Sequence, residues 1–137
     1  MICHSISIKF KAGISDSDRR RATETLSRMG TEIDVVKSAV IGREHGGDYE
    51  YGAMWTFDDT ADYRTFMYHP LHLEVDRVGL QLVEKMLSHD ITDDPDPQRV
   101  FSEIDRIHRE RFAEHKDIAN LVSGMSSYTG SSAPHNV

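Results

Sequence analysis

One cysteine, Cys3, stands in a chain of 137 residues. That excludes an intrachain disulfide and the cysteine clusters of tetrahedral structural zinc sites, and it suits a reducing cytoplasm. No apolar run approaches the roughly 18 residues of a membrane-spanning helix, and the first residues lack a charged segment leading into an apolar one. The expectation is a cytoplasmic protein, neither membrane-spanning nor exported by that route. Basic charge is also in deficit. With 16 Lys and Arg against 23 Asp and Glu, the formal charge is −7, which argues against nucleic acid or an anionic membrane as partner and favours a small molecule or another protein. Hydrophobic residues at 38% and charged residues at 28% are ordinary for a globular chain, so wholesale disorder is excluded. The length permits one domain and an appendage.

The stretch from Asp62 to Val75, with Tyr68-His69-Pro70-Leu71-His72 at its centre, is what the chain is organised around. Pro70 fixes its own φ, lacks an N–H and pushes His69 out of the α region, so a helix should start at Pro70 with His69 at its N-cap. His72 falls in the first turn, where unpaired N–H groups and the helix dipole disfavour an imidazolium. A neutral imidazole there can act as a base. The same placement also suits a pair of histidines that only cap and pack the helix start.

Ahead of this junction, alternation puts Ile2, His4, Ile6, Ile8 and Phe10 on one face of a first strand, so His4 points at whatever packs on the sheet. Ser15 or Ser17 should cap a helix to about Met29, with Gly30 as its stop. Strands are expected over Val35–Arg43 and Tyr49–Phe57, the latter with Tyr51, Ala53 and Trp55 on its aromatic face, and Asp58-Asp59-Thr60 should cap a helix to Tyr68. Leu71, Val75, Val78, Leu82 and Met86 recur at helical spacing, and Ser88–Thr92 reads as a short final strand. The order is β-α-β-β-α-β: an α+β, ferredoxin-like antiparallel sheet with helices on one face. Its other face needs cover, and a second copy of the chain would supply it. Residues 1–94 therefore form the domain, and 95–137 an extension. Within it a hinge at Asp93–Pro97 precedes an amphipathic helix over 98–121, expected across a subunit boundary, and a mobile tail over 123–137.

With the strand Cys3–Lys11, the Trp55-Thr56-Phe57-Asp58-Asp59 strand end and Tyr68-His69-Pro70-Leu71-His72 in place, the sequence resembles the stress-responsive A/B barrel (Dabb) family over about residues 1–94. The resemblance implies two ferredoxin-like sheets paired back to back as a homodimeric α/β barrel. Within that family it is similar to the plant polyketide cyclases, which work without cofactor or metal in a pocket between sheet and helices. By that resemblance His72 is the catalytic base, His69 a neighbouring pocket histidine and His4 the pocket histidine of the first strand. The cyclases' catalytic tyrosine is Phe66 here, and Tyr51 is the nearest substitute for its hydroxyl. His69, Phe66, Ile6, Ile8, Ala53 and Val75 are the expected substrate contacts. The function implied is a cofactor-independent lyase, cyclase or isomerase acting on a small, largely apolar carbonyl compound. The alternative is a non-enzymatic dimeric stress protein or small-ligand carrier, with haem binding as a variant.

Overall fold

The computed structural model describes residues 1–134. Strand β1 (Ile2–Phe10) alternates buried and half-buried residues along its whole length. Helix α1 (Asp16–Glu32) follows, with the Ser15 side chain accepting from the Asp18 N–H. Then come β2 (Ser38–Arg43), β3 (Tyr51–Phe57) and α2 (Thr60–Tyr68), whose N-cap is Asp59. Helix α3 (Pro70–Gly79) leads through a single 3-10 turn, Leu80–Leu82, into β4 (Val83–Thr92). The extension forms α4 (Pro97–Glu114), α5 (Lys116–Ser123) and β5 (Ser127–Gly130). The sheet order is β2-β3-β1-β4-β5. The first four strands pair antiparallel, as the ferredoxin-like order requires, and β5 joins β4 in parallel. The sheet is therefore mixed rather than purely antiparallel, and it is open.

Several expectations change. Gly30 lies inside α1 instead of ending it. A Cβ there would sit 2.7 Å from the Cβ of Ala39, so the glycine lets the helix lie close against β2. The strands at Val35 and Tyr49 begin later, at Ser38 and Tyr51. β4 begins earlier, at Val83, so Met86 is a strand residue and Val78 is 56% exposed. Met86 matches the helical stripe by spacing, but pairing with Ile8 of β1 captures it, a case of tertiary context overriding local pattern.

The extension departs most from expectation. Its helix breaks at His115 (φ −122, ψ 72), and its apolar stripe does not await a partner. Val100, Ile104, Ile107, Ile118 and Val122 are all buried in the same core as β1 and α2. α4 packs on α2, and α5 on α3. The reason for placing this helix across a subunit boundary is thereby removed. Part of the expected mobile tail is the ordered edge strand β5, followed by a turn in which the Ser131 N–H donates to the Ser88 carbonyl (3.1 Å) and the Ser132 N–H to Ser88 Oγ (3.0 Å); residues 135–137 lie outside the described residues. Among those residues no helix is long and apolar enough to cross a membrane.

Gly130 makes the docking of β5 possible. Its φ is +112, and a Cβ would lie 1.9 Å from the Ser88 carbonyl oxygen. Gly130→Ala should cost about 1–3 kcal/mol, seen as a drop of several degrees in Tm by calorimetry. Gly42→Ala, with nothing within 4 Å of its added carbon, should stay within about 0.5 kcal/mol of the parent. Equal melting temperatures would contradict the docking of β5.

Candidate functional site

Strand register sets the first cluster of polar groups. Pairing on both edges of β1 places His4 opposite Trp55 of β3 and Asp90 of β4, all on the helix-covered face. His4 Nδ1–H donates to Asp90 Oδ1 at 2.9 Å, with the two side chains only 4% and 2% exposed. Burial works against the Asp90 carboxylate, but the charge and hydrogen bond of His4 outweigh it and hold the group below the usual carboxylate range. An ionised carboxylate can only accept. The hydroxyl of Tyr63, from α2, therefore donates to Asp90 Oδ2 at 3.3 Å, and its oxygen accepts from His108 Nε2–H of α4 at 2.7 Å. Burial, then the Asp90 charge, pushes the Tyr63 phenol well above its ordinary value. Burial, followed by the influence of His4, brings His108 down to about 3 and leaves it neutral near pH 7.

The second cluster hangs on α3. His69 is its N-cap, its Nδ1 accepting from the Leu71 N–H at 3.1 Å, which with Pro70 fixes where the helix starts and so where His72 lies. His72 Nδ1–H donates to the Phe66 carbonyl at 3.0 Å. Its pKa falls to about 4, first through burial, with Asp76 opposing and Arg111 assisting. Burial is thus the main cause of the neutral imidazole, where the sequence pointed to the helix start. With Nδ1 protonated, Nε2 carries the lone pair. Asp76, one turn along, has Oδ1 3.6 Å from that Nε2, while its Oδ2 accepts from Arg111 Nη2 at 2.6 Å. Arg111 Nε also donates to the Met67 carbonyl at 2.6 Å.

His4 and His108 of the first cluster and His72, Asp76 and Arg111 of the second line one cavity of about 50 Å³, together with Trp55, Tyr128 and several apolar side chains. An apolar recess of similar size shares Ile6, Leu26, Asp76, Leu80 and Met86 with it. That recess in turn shares Ala22, Thr25, Val75 and Gly79 with a groove of about 380 Å³ between α1 and α3. The cavity, the recess and the groove thus lie in series, each sharing wall residues with the next.

Of the residues singled out from the sequence, His4 and His72 share the cavity and Ile6 lines its wall. Ile8 and Val75 line the recess. Phe66 is fully buried against the His72 ring, centroids 4.6 Å apart. Ala53 is buried opposite Ile6 and lines neither space, and His69 serves as a cap. Tyr51 is not brought to the site. It pairs with Ile8, four residues along β1 from His4, or about 13 Å at strand rise, and packs between the Phe10 ring and the Arg43 guanidinium. The hydroxyl missing at Phe66 is therefore not replaced by Tyr51. Sequence reasoning missed Asp76, Asp90, Tyr63 and Arg111. Asp76 follows His72 by four residues and so shares its helix face. Arg111 is a charged side chain in line with Ile104 and Ile107, an anomaly within an apolar stripe that marks a buried partner.

Comparison with known proteins follows the same outline. The sequence matches the family described as Stress responsive A/B Barrel Domain (Dabb) over residues 2–93. No curated protein is matched by sequence. Among solved structures, a Dabb family protein with a ferredoxin-like fold from Mesorhizobium loti is 24% identical and superposes with a TM-score of 0.62, covering 68% of this chain and 96% of its own. A hydroxynitrile lyase from Passiflora edulis is 18% identical with a TM-score of 0.61, covering 68% and 94%. A dimeric ferredoxin-like protein of unknown function from Thermobifida fusca is 16% identical with a TM-score of 0.60, covering 66% and 89%. At these identities the structures establish a shared fold, and the match over residues 2–93 establishes descent: the chain belongs to the stress-responsive A/B barrel (Dabb) family.

Proposed function

We propose that this protein is a cofactor-independent enzyme of the lyase type, in which His72 acts as general base on a small carbonyl-forming substrate. One observation carries the reading: His72 commits Nδ1–H to the Phe66 carbonyl, which leaves Nε2 unprotonated, and the residue lines the cavity. In cleavage of a β-hydroxycarbonyl or hydroxynitrile, Nε2 takes the hydroxyl proton, the C=O bond forms as the carbon–carbon bond breaks, and the carbanion then recovers the proton from Nε2–H. Aldol addition is the same path reversed. His4, anchored through Nδ1 on Asp90, presents a second imidazole to the substrate oxygen. A fold shared with a hydroxynitrile lyase supports this chemistry class.

Cavity size narrows the substrate. About 50 Å³ holds roughly three to five water molecules, so the reacting part of the substrate is a few non-hydrogen atoms, with an apolar group extending into the recess. A long polyketide or a haem macrocycle does not fit that space. The second reading, a small-ligand carrier, draws on Phe66, which supplies no hydroxyl beside His72. A turnover assay with short hydroxynitriles and β-hydroxyketones separates the two.

We also propose a homodimer through the sheet face opposite the helices. Val40 and Ile91 are each 64% exposed there and Met54 39%, an apolar patch on a face left uncovered by this chain. Relatives of this fold are described as dimeric. We propose a cytoplasmic location as well, a reading that a single thiol suits.

If His72 is the base, His72→Ala should lower turnover by about 10²- to 10⁴-fold at a temperature where the variant is folded; near-parent turnover would rule out His72 as the base. kcat/KM should hold from neutral pH downward and fall as pH drops through about 4, the His72 value. Stability should change over a different range. An unfolded histidine takes a proton below about pH 6.5, whereas folded His72 and His108 do so only near 4 and 3. The unfolded state therefore binds more protons in that interval, and stability should fall as pH falls from about 6.5 towards 4. A flat stability profile between pH 7 and 5 would contradict the buried neutral histidines. For the dimer, Ile91→Glu should yield monomer in analytical ultracentrifugation, and an unchanged association constant would place the interface elsewhere.

A further inference from the structure

Helix α4 lies beyond the residues that match the Dabb family, yet it delivers a charged side chain to the cavity. We infer that Arg111 is a positioning residue for His72: by engaging the Asp76 carboxylate it keeps the His72 Nε2 lone pair free, so that the C-terminal extension controls whether the base is available. The base reading above gives this inference its consequence, but its test reads His72 directly.

The geometry supplies the argument. Asp76 sits one helical turn from His72 and could accept a hydrogen bond from a protonated Nε2, which would favour the imidazolium. Instead Asp76 Oδ2 is held at 2.6 Å by Arg111 Nη2, and Oδ1 stands 3.6 Å from His72 Nε2, beyond a hydrogen bond. Arg111 is locked in that pose because its Nε donates to the Met67 carbonyl at the end of α2, and the rigid guanidinium fork then fixes where Nη2 points. The other titratable groups facing this cavity are His4 from β1, His108 from α4 and Tyr128 from β5; Asp76 is the one carboxylate in its described lining. Asp76 is therefore the group that can charge His72, and Arg111 the group that prevents it. Burial opposes the imidazolium in any case, but the balance between the Asp76 carboxylate and the Arg111 guanidinium decides how far.

NMR titration of the His72 ring in the full chain tests this with four proteins: the parent, Arg111→Met, Asp76→Asn and the double variant. The parent should titrate near 4. Arg111→Met should raise the midpoint by about one to three pH units. Asp76→Asn should leave it at or below the parent value, and adding Asp76→Asn to Arg111→Met should abolish the rise. Arg111→Gln, which keeps an amide donor for the Met67 carbonyl, should reproduce the rise if Arg111→Met does not fold. No rise in a folded Arg111 variant overturns the inference. So does a double variant that titrates as high as Arg111→Met, because water entering a loosened core would produce that result without Asp76. A parent His72 that titrates at its ordinary value would instead overturn the neutral-base reading itself.

Discussion

Burying a carboxylate on the helix-covered side of the sheet commits much of the rest of this chain. Asp90 faces inward because β4 pairs with β1 in one register, and that register brings His4 alongside it. Desolvating a carboxylate costs several kcal/mol unless its oxygens are bonded, so both oxygens need donors, and His4 and Tyr63 provide them. The Tyr63 oxygen, itself buried, then draws in His108. A single inward acid thus links the central strand, the helix before the His-Pro junction and the first helix of the extension.

The extension is accordingly part of the domain's interior rather than a separate appendage. Its apolar stripe completes the core, and two of its side chains, His108 and Arg111, enter the polar clusters of the cavity. His72 and its helix come from within the segment that matches the family, whereas Arg111, which engages Asp76, comes from outside it. The wall contributed by His108, Arg111, Phe112 and Tyr128 also confines the cavity. The size of the cavity is thus set in part by residues beyond the segment that matches the family.

Much of this was legible from residue pattern. Alternation in Ile2–Phe10 located His4 on the inner face, and the proline at position 70 located the start of α3 and hence His72, because both signals are local. What failed was information carried between distant segments. Met86 looked helical because the spacing from Val75 fits a helix, while its partner on β1 is far away in sequence. Gly30 looked like a stop because a close approach to Ala39 cannot be seen from one strand of text. Tyr51 offers a hydroxyl on an inward face, but distance along the strand removes it from His4. Ser127–Gly130 lacked the apolar residues that announce a strand, and pairs with β4 through its backbone and through serines.

The central claim is that His72 presents an unprotonated Nε2 to the cavity at neutral pH. Long-range ¹H–¹⁵N correlation of the histidine rings in the intact protein observes this without a substrate, since it separates a protonated from an unprotonated ring nitrogen. At pH 7 the account requires Nδ1 of His72 to carry the proton, held by the Phe66 carbonyl, and Nε2 to be bare. A His72 ring protonated on Nε2, or on both nitrogens, would contradict it.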